Sequence, residues 1–228
     1  MERTGVPLLA SRPMKSPTLV ATAAFLLCAA CGPPNPHSAK IVPEAVAAPT
    51  DDVVPERSGV IRRGDRGLTL IGTPLEVGKA APSMALRASG WKEAPVDFAD
   101  GTVRIVLTVP SLDTPTCSLE TRTFNEKASS LGDGIEILVV SRDLPPAQER
   151  FCAAHGIERV RALSDYYDAS SARAWGLFVK ELGIFARAVV IVDGKGIVRY
   201  EQIVENQPDE PDYDAALAAV GALVPKTE

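Results

Sequence analysis

Pro110-Ser111-Leu112-Asp113-Thr114-Pro115-Thr116-Cys117 is the stretch on which the reading of this chain turns. The near-continuous apolar run before it, 103–109, reads as a buried strand. The Pro/Ser/Asp/Thr cluster then turns the chain. Cys117 stands where the next helix, predicted over 117–130, begins. A helix N-terminus offers unpaired backbone N–H groups and a partial positive charge, and both favour thiolate over thiol. A second cysteine, in Arg150-Phe151-Cys152, falls on a later predicted helix. The two together suggest a nucleophile and its resolving partner.

Outward from this stretch the pattern continues as alternating strands and helices. A second buried strand is expected at 135–141, and Pro145 and Pro146 open a helix that Gly156 ends. A further helix is predicted at 169–175 and a third apolar strand at 188–193. Gly194-Lys195-Gly196 turns into a strand at 197–202, and 211–223 reads as a final amphipathic helix. Upstream, 68–71 and 75–77 around Gly72-Thr73-Pro74 read as a small hairpin, with short strands at 84–87 and 95–98. Leu119, Phe124, Ala128 and Leu131 mark the packed side of the 117–130 helix. The order implies an α/β sandwich with a mixed central sheet and an N-terminal β-hairpin, the layout of a thioredoxin-like fold.

The first residues have another character. Arg3, Arg12 and Lys15 precede a short apolar segment at 19–30, too short for a membrane span of ~20 residues but suited to a signal peptide. Leu27-Cys28-Ala29-Ala30-Cys31 resembles the lipobox of bacterial lipoproteins, with Cys28 where Leu is usual; Cys31 is then the lipidated residue. The plain alternative is a cleaved secretory signal. Six prolines between Pro33 and Pro55 and little periodicity make 31–67 a flexible tether, so the reading is signal peptide 1–30, tether 31–67 and folded domain 68–228. The expected location is extracytoplasmic, lipid-anchored to a bacterial membrane, or secreted if Cys31 carries no lipid. Without Cys28 and with Cys31 capped, Cys117 and Cys152 remain as a pair able to close one disulfide.

Composition excludes some partners. The net charge is −5 with no long basic run, and aromatics make up 5 %, which argues against nucleic acid binding. Two histidines leave no Ser/His/Asp set, and no Gly-rich phosphate loop is present.

The 110–117 segment resembles the P-x-x-x-[TS]-x-x-C signature of peroxiredoxins. Residues 141–152 (SRDLPPAQERFC) and 186–191 (ARAVVI) are similar to the bacterial thiol peroxidase branch, the atypical two-cysteine peroxiredoxins. That resemblance covers roughly 68–223. It implies reduction of hydrogen peroxide and organic hydroperoxides, with Cys117 as peroxidatic nucleophile and Cys152 as resolving residue joined to it within one chain. It also implies Arg187 as the guanidinium beside the thiolate, Thr114 as a hydroxyl donor to the thiolate or the peroxide, and Pro110 as the residue that shapes the loop and shields the thiolate from water. No metal, haem or flavin is implied, because sulfur carries the electrons. A thioredoxin-like donor and a homodimer are implied as partners, and local unwinding at both cysteines during turnover.

Read without the resemblance, Thr114 and Pro110 are ordinary turn residues. Cys152 is equally a buried inert thiol or half of a structural disulfide. An extracytoplasmic thiol–disulfide oxidoreductase is the competing enzyme, but its C-x-x-C is missing at Cys117, where Glu120 stands three residues on. A non-catalytic redox sensor or tethered binding domain is the competing non-enzyme. Asp113, Glu120 and Arg122 read as surface or helix-start residues, with Arg122 able to add positive field. His155 reads as a solvated helix end, and Trp175 and Phe178 as core or interface. Phe178, Leu182 and Phe185 read as an apolar patch for a dimer or a bulky substrate, and Asp209, Glu210 and Asp212 as a helix N-terminal cap region.

Overall fold

The computed structural model describes residues 54–128, 131 and 134–223. The signal peptide, Cys31 and most of the tether lie outside the described residues. Five strands form the central sheet: β3 (Val103–Thr108), β4 (Ile135–Ser141), β5 (Val160–Ser164), β8 (Ala188–Val192) and β9 (Val198–Ile203). Their order is β5-β4-β3-β8-β9, with β3, β4 and β5 parallel and β8 antiparallel to both of its neighbours, β3 and β9. The crossovers after β3 and β4 are the helices α1 (Pro115–Lys127) and α2 (Pro145–His155). The two short helices and strands at the C-terminal end are α3 (Ser170–Ala174), β6 (Phe178–Val179), β7 (Ile184–Phe185) and α4 (Tyr213–Gly221). This is the mixed α/β, thioredoxin-like arrangement expected.

The period-2 alternation of β3 sends its side chains to two cores. Ile105 and Leu107 pack with Phe124 of α1, Phe151 of α2 and Val220 of α4. Val106 packs on the opposite side with Trp175, Phe98 and a second sheet. That sheet has the order β1-β2-β6-β7, where β1 is Glu56–Arg63 and β2 is Arg66–Ile71.

The N-terminal hairpin exists, but its strands are β1 and β2, joined at Gly64-Asp65, rather than 68–71 with 75–77. The strand β1 therefore begins inside the segment read as tether. Only Ile61 is buried in it. An edge strand with one inward side chain carries almost no alternation for sequence reading to find. Residues 84–87 and 95–98 form single bridges, Met84 to Val96 and Arg87 to Glu93, instead of strands. The strands β5, β6 and β7 went unforeseen; β6 and β7 are two residues each, below any periodicity. Gly72 has φ +114, and a Cβ there would collide with the carbonyl oxygen of Arg173, so the hairpin and α3 can approach only through a glycine. Of the expected packed face of α1, Phe124 is buried and Ala128 and Leu131 pack against the core, but Leu119 is exposed, and Cys117, Glu120 and Thr121 are buried beside Phe124.

Candidate active site

The strand β3 leads straight into the site. Thr114 is the N-cap of α1 and Pro115 its first residue, which places Cys117 in the first turn. Ser118 is the first residue whose N–H bonds back, to the Thr114 carbonyl at 3.0 Å. The N–H groups before it belong to the unpaired set at a helix start, so the dipole's positive end lies at Cys117. The loop 110–114 is pinned from below by a residue the sequence reading gave no role. The Asp143 carboxylate accepts from the Ser111 hydroxyl, the Leu112 N–H and the Ser141 hydroxyl, each at 2.8 Å. Gln148 of α2 donates to the same Ser141 hydroxyl at 3.0 Å and to the Leu163 carbonyl at 2.8 Å. One polar network thus ties the Cys117 loop to the helix that bears Cys152.

Antiparallel pairing places the cation. In the β3–β8 register Thr108 faces Ala188, and the Thr108 hydroxyl donates to the Ala186 carbonyl at 2.8 Å. Arg187 is held between them beside the loop leaving β3. Its Nη2 donates to Cys117 Sγ at 3.4 Å and its Nη1 to Glu120 Oε2. Its Nε donates to the Gln207 carbonyl at 3.0 Å, and its backbone N–H to the Gln207 side chain. Cys117 and Glu120 are fully buried and Arg187 is 2 % exposed. Burial pulls the Arg187 pKa down; Glu120 and Cys117 together outweigh it and hold the guanidinium above its ordinary value. Glu120 is not the surface residue expected. Burial pushes its pKa up to about 7 against the pull of Arg187. Its spacing of three from Cys117 puts the two on one helix face, which was the available signal. Gln207 had no local signal, being placed by the chain after β9.

Pro110, Thr114 and Arg187 line a cavity of about 330 Å³ whose apolar walls are Leu68, Val179, Leu182 and Ile184, with Arg63 also lining it. Cys117 is not one of its walls. Leu182 belongs to the apolar patch expected; Phe185 is fully buried and Phe178 nearly so. The Thr114 hydroxyl donates to the Ser111 carbonyl at 2.9 Å, so its proton is committed to the loop rather than to sulfur. Asp113 and Arg122 are exposed, as read.

Cys152 is half-buried and lines a different cavity, of about 180 Å³, with Ser89, Gln148 and Glu149. Burial raises its pKa, which keeps it a thiol in this state. Both cysteines are unbonded. The structure therefore brings Pro110, Thr114, Cys117 and Arg187 together and leaves Cys152 apart. His155 is an exposed helix-end residue whose ring lies 4.7 Å from that of Phe151, tilted by 48°. Asp212 caps α4 by accepting from the Ala215 N–H at 2.9 Å.

A buried thiol on a helix N-terminus, bonded to a guanidinium on a thioredoxin-like sheet and lacking a C-x-x-C, defines a thiol-based redox protein of the peroxiredoxin class. Residues 76–217 match the Redoxin family. A thiol peroxidase from Halalkalibacterium halodurans is 41 % identical over 157 residues, covering 69 % of this chain and 94 % of that protein. One from Streptococcus sanguinis is 43 % identical over 157 residues, covering 68 % and 95 %. A solved peroxiredoxin-like protein from Aquifex aeolicus superposes with a TM-score of 0.69 at 37 % identity, over 74 % of this chain and 98 % of that one. The chain belongs to the redoxin family, and within it to the bacterial thiol peroxidases, which are peroxidases of the peroxiredoxin type.

Proposed function

We propose that the protein reduces hydrogen peroxide and organic hydroperoxides through Cys117, Cys152 and an external dithiol. The observation that carries this reading is the Arg187 Nη2 to Cys117 Sγ contact of 3.4 Å, at a helix start and next to an apolar cavity. The thiolate attacks the terminal oxygen of the peroxide. The O–O bond breaks, Cys117 becomes a sulfenic acid, and the alkoxide or hydroxide takes a proton to leave as alcohol or water. Arg187 stays charged throughout and offers donors to the oxygens as charge develops on them. The Cys152 thiol then attacks the sulfenic sulfur, releasing water and forming the Cys117–Cys152 disulfide. A thioredoxin-like dithiol donates two electrons and two protons to restore both thiols.

Two movements are required. Cys117 is fully buried and must be uncovered for attack, and a disulfide needs the two Cα atoms within ~7 Å. Unwinding the first turn of α1 and the α2 turn at Cys152 supplies both. The cavity volume falls at the lower end of the ~300–1,000 Å³ typical of small-molecule sites, and its aliphatic walls suit an alkyl or aryl group beside the peroxide.

Reduced full-length protein with a dithiol donor should consume hydrogen peroxide and cumene hydroperoxide, and Cys117→Ser should abolish both. Equal rates in the two proteins would defeat the assignment. The lipid anchor at Cys31 and the homodimer belong to the same proposal. Cys31→Ser should move the protein from the membrane to the soluble fraction, and sedimentation should give twice the chain mass.

A further inference from the structure

We infer that Cys117 and Glu120 share a single proton across Arg187, so that Glu120 controls the pH range in which the attacking thiolate exists. Glu120 is then a positioning residue with a second role, competing with sulfur for the one available cation. The inference deepens the peroxidase reading and rests on it for the identity of the nucleophile.

The geometry is a three-member row. Arg187 spends one terminal nitrogen on Glu120 Oε2 and the other on Cys117 Sγ. Glu120 and Cys117 have no exposed surface, and Arg187 is 2 % exposed. Glu120 Oε1 has no hydrogen-bond partner among the described residues. An ionised carboxylate with one oxygen buried and unsatisfied is costly. A single cation offsets one buried anion, and a second anion in the same closed site has nothing to face.

Among the described residues, the groups that act on Glu120 from other elements include no cation besides Arg187. From α1 come Cys117 itself and the neutral Thr121, whose hydroxyl donates to the Cys117 carbonyl. From the segment before and within α4 come Glu210 and Tyr213, joined to each other at 2.8 Å. Glu210 is acidic and pushes Glu120 further toward its protonated form, a lesser influence than burial. Gln207, packed on Arg187, is neutral. Among the groups that act on Glu120, Arg187 carries the only positive charge.

The proton count follows. The pair interconverts between thiol with carboxylate and thiolate with carboxylic acid, at constant charge and with no outside reactant. In the second form sulfur has sole use of Arg187. When it attacks, the sulfenic acid formed is neutral, and the leaving alkoxide needs one proton. Loss of the Glu120 proton supplies it, so thiolate, hydroperoxide and carboxylic acid become sulfenic acid, alcohol and carboxylate. Two such groups titrate as a pair, with behaviour that belongs to neither alone.

The test is Glu120→Gln, which keeps an oxygen facing Arg187 and removes the competing charge. Two profiles are measured from about pH 5 to about pH 9: the rate of the first peroxide reduction, and the Cys117-dependent thiolate absorbance, taken as the difference from Cys117→Ser. Both profiles should reach half of their own alkaline plateau about one pH unit lower than in wild type, so that near pH 8 the variant stands at about twice wild type's fraction of plateau. Superimposable limbs overturn the inference. So does a uniform loss at every pH, which is the signature of a guanidinium merely displaced.

A reciprocal arm covers a Glu120→Gln chain that fails to fold. The infrared band of the protonated Glu120 carboxyl should persist to higher pH in wild type than in Cys117→Ser, because coupling acts equally on both partners. No difference overturns the inference. Neither the absorbance nor the infrared readout needs peroxide turnover. Shifted profiles in a protein that consumes no peroxide would sink the peroxidase reading and leave the shared proton standing.

Discussion

Arg187→Met separates the two things the buried guanidinium does. Met keeps an unbranched side chain in a site that is 2 % exposed, and removes the donors to Cys117, Glu120 and the Gln207 carbonyl. Removing one partner of a buried ion pair costs ~3–5 kcal/mol. A domain of this size has ~5–15 kcal/mol in total, so the variant should remain folded in mildly acidic buffer. The cost depends on pH, because Glu120 can escape by taking a proton. Its pKa in the wild-type fold is about 7, above the ordinary 4.5, through burial that Arg187 only partly opposes. With a raised folded pKa the native state holds more protons than the unfolded chain, so stability falls as pH rises through that window. At about 1.4 kcal/mol per pH unit, Glu120 already takes about 3 kcal/mol from wild type between pH 4.5 and pH 7. Without Arg187 the upper edge of the window moves higher, so the deficit of the variant should be steady below about pH 7 and grow above it.

The assay is urea unfolding at several pH values beside the peroxide rate. In Arg187→Met the unfolding midpoint should fall most at alkaline pH, and the peroxide rate constant should drop ~10²–10³-fold, the usual loss for one donor to developing charge. Adding Glu120→Gln should recover most of the alkaline stability and none of the rate. A double variant that recovers the rate would show that Arg187 serves the fold alone. A single variant with a pH-independent deficit would refute the account of Glu120.

Three further outcomes are expected. Cys152→Ser should complete one reduction of peroxide and then stop under a dithiol donor, with intact mass showing an oxidised Cys117 and no internal disulfide; sustained turnover would exclude Cys152 as the resolving thiol. Leu182→Asp places a carboxylate on the apolar wall of the cavity and should lower the ratio of cumene hydroperoxide to hydrogen peroxide kcat/KM about tenfold, as loss of one aliphatic contact to the organic group implies; an unchanged ratio would place the organic group elsewhere. Gly72→Ala combines a φ of +114 with a collision against the Arg173 carbonyl, and should lower the melting temperature by several degrees in differential scanning calorimetry.

The strand–turn–helix at β3 and α1 was legible because its signals are local: a run of apolar residues, Pro and Thr at the turn, and a proline at the first helical position. The same holds for β4, α2 and β8. The edge strand β1 was not legible, since one buried residue in eight gives no period. The face of α1 was misjudged by taking Leu119 as inward, when the helix turns Glu120 in and leaves Leu119 at the surface.

By itself the sequence determined the class of chemistry: a cysteine at a helix start, with Thr114 and Pro110 in register, Arg187 opening a later strand, and Cys152 on the next helix. The first three are questions of spacing within one strand, its turn and the next helix; Arg187 and Cys152 followed from the resemblance to the thiol peroxidases. Only the tertiary structure decided what surrounds the sulfur. Antiparallel pairing of β8 with β3 carries Arg187 to Cys117 from 70 positions away, and the segment after β9 delivers Gln207 behind it. Burial of Glu120 on the same guanidinium makes the thiol one of two claimants to a single charge. The spacing of three from Cys117 to Glu120 sets both on one helix face, but the low dielectric that makes them compete exists only once three separate elements have closed around the site.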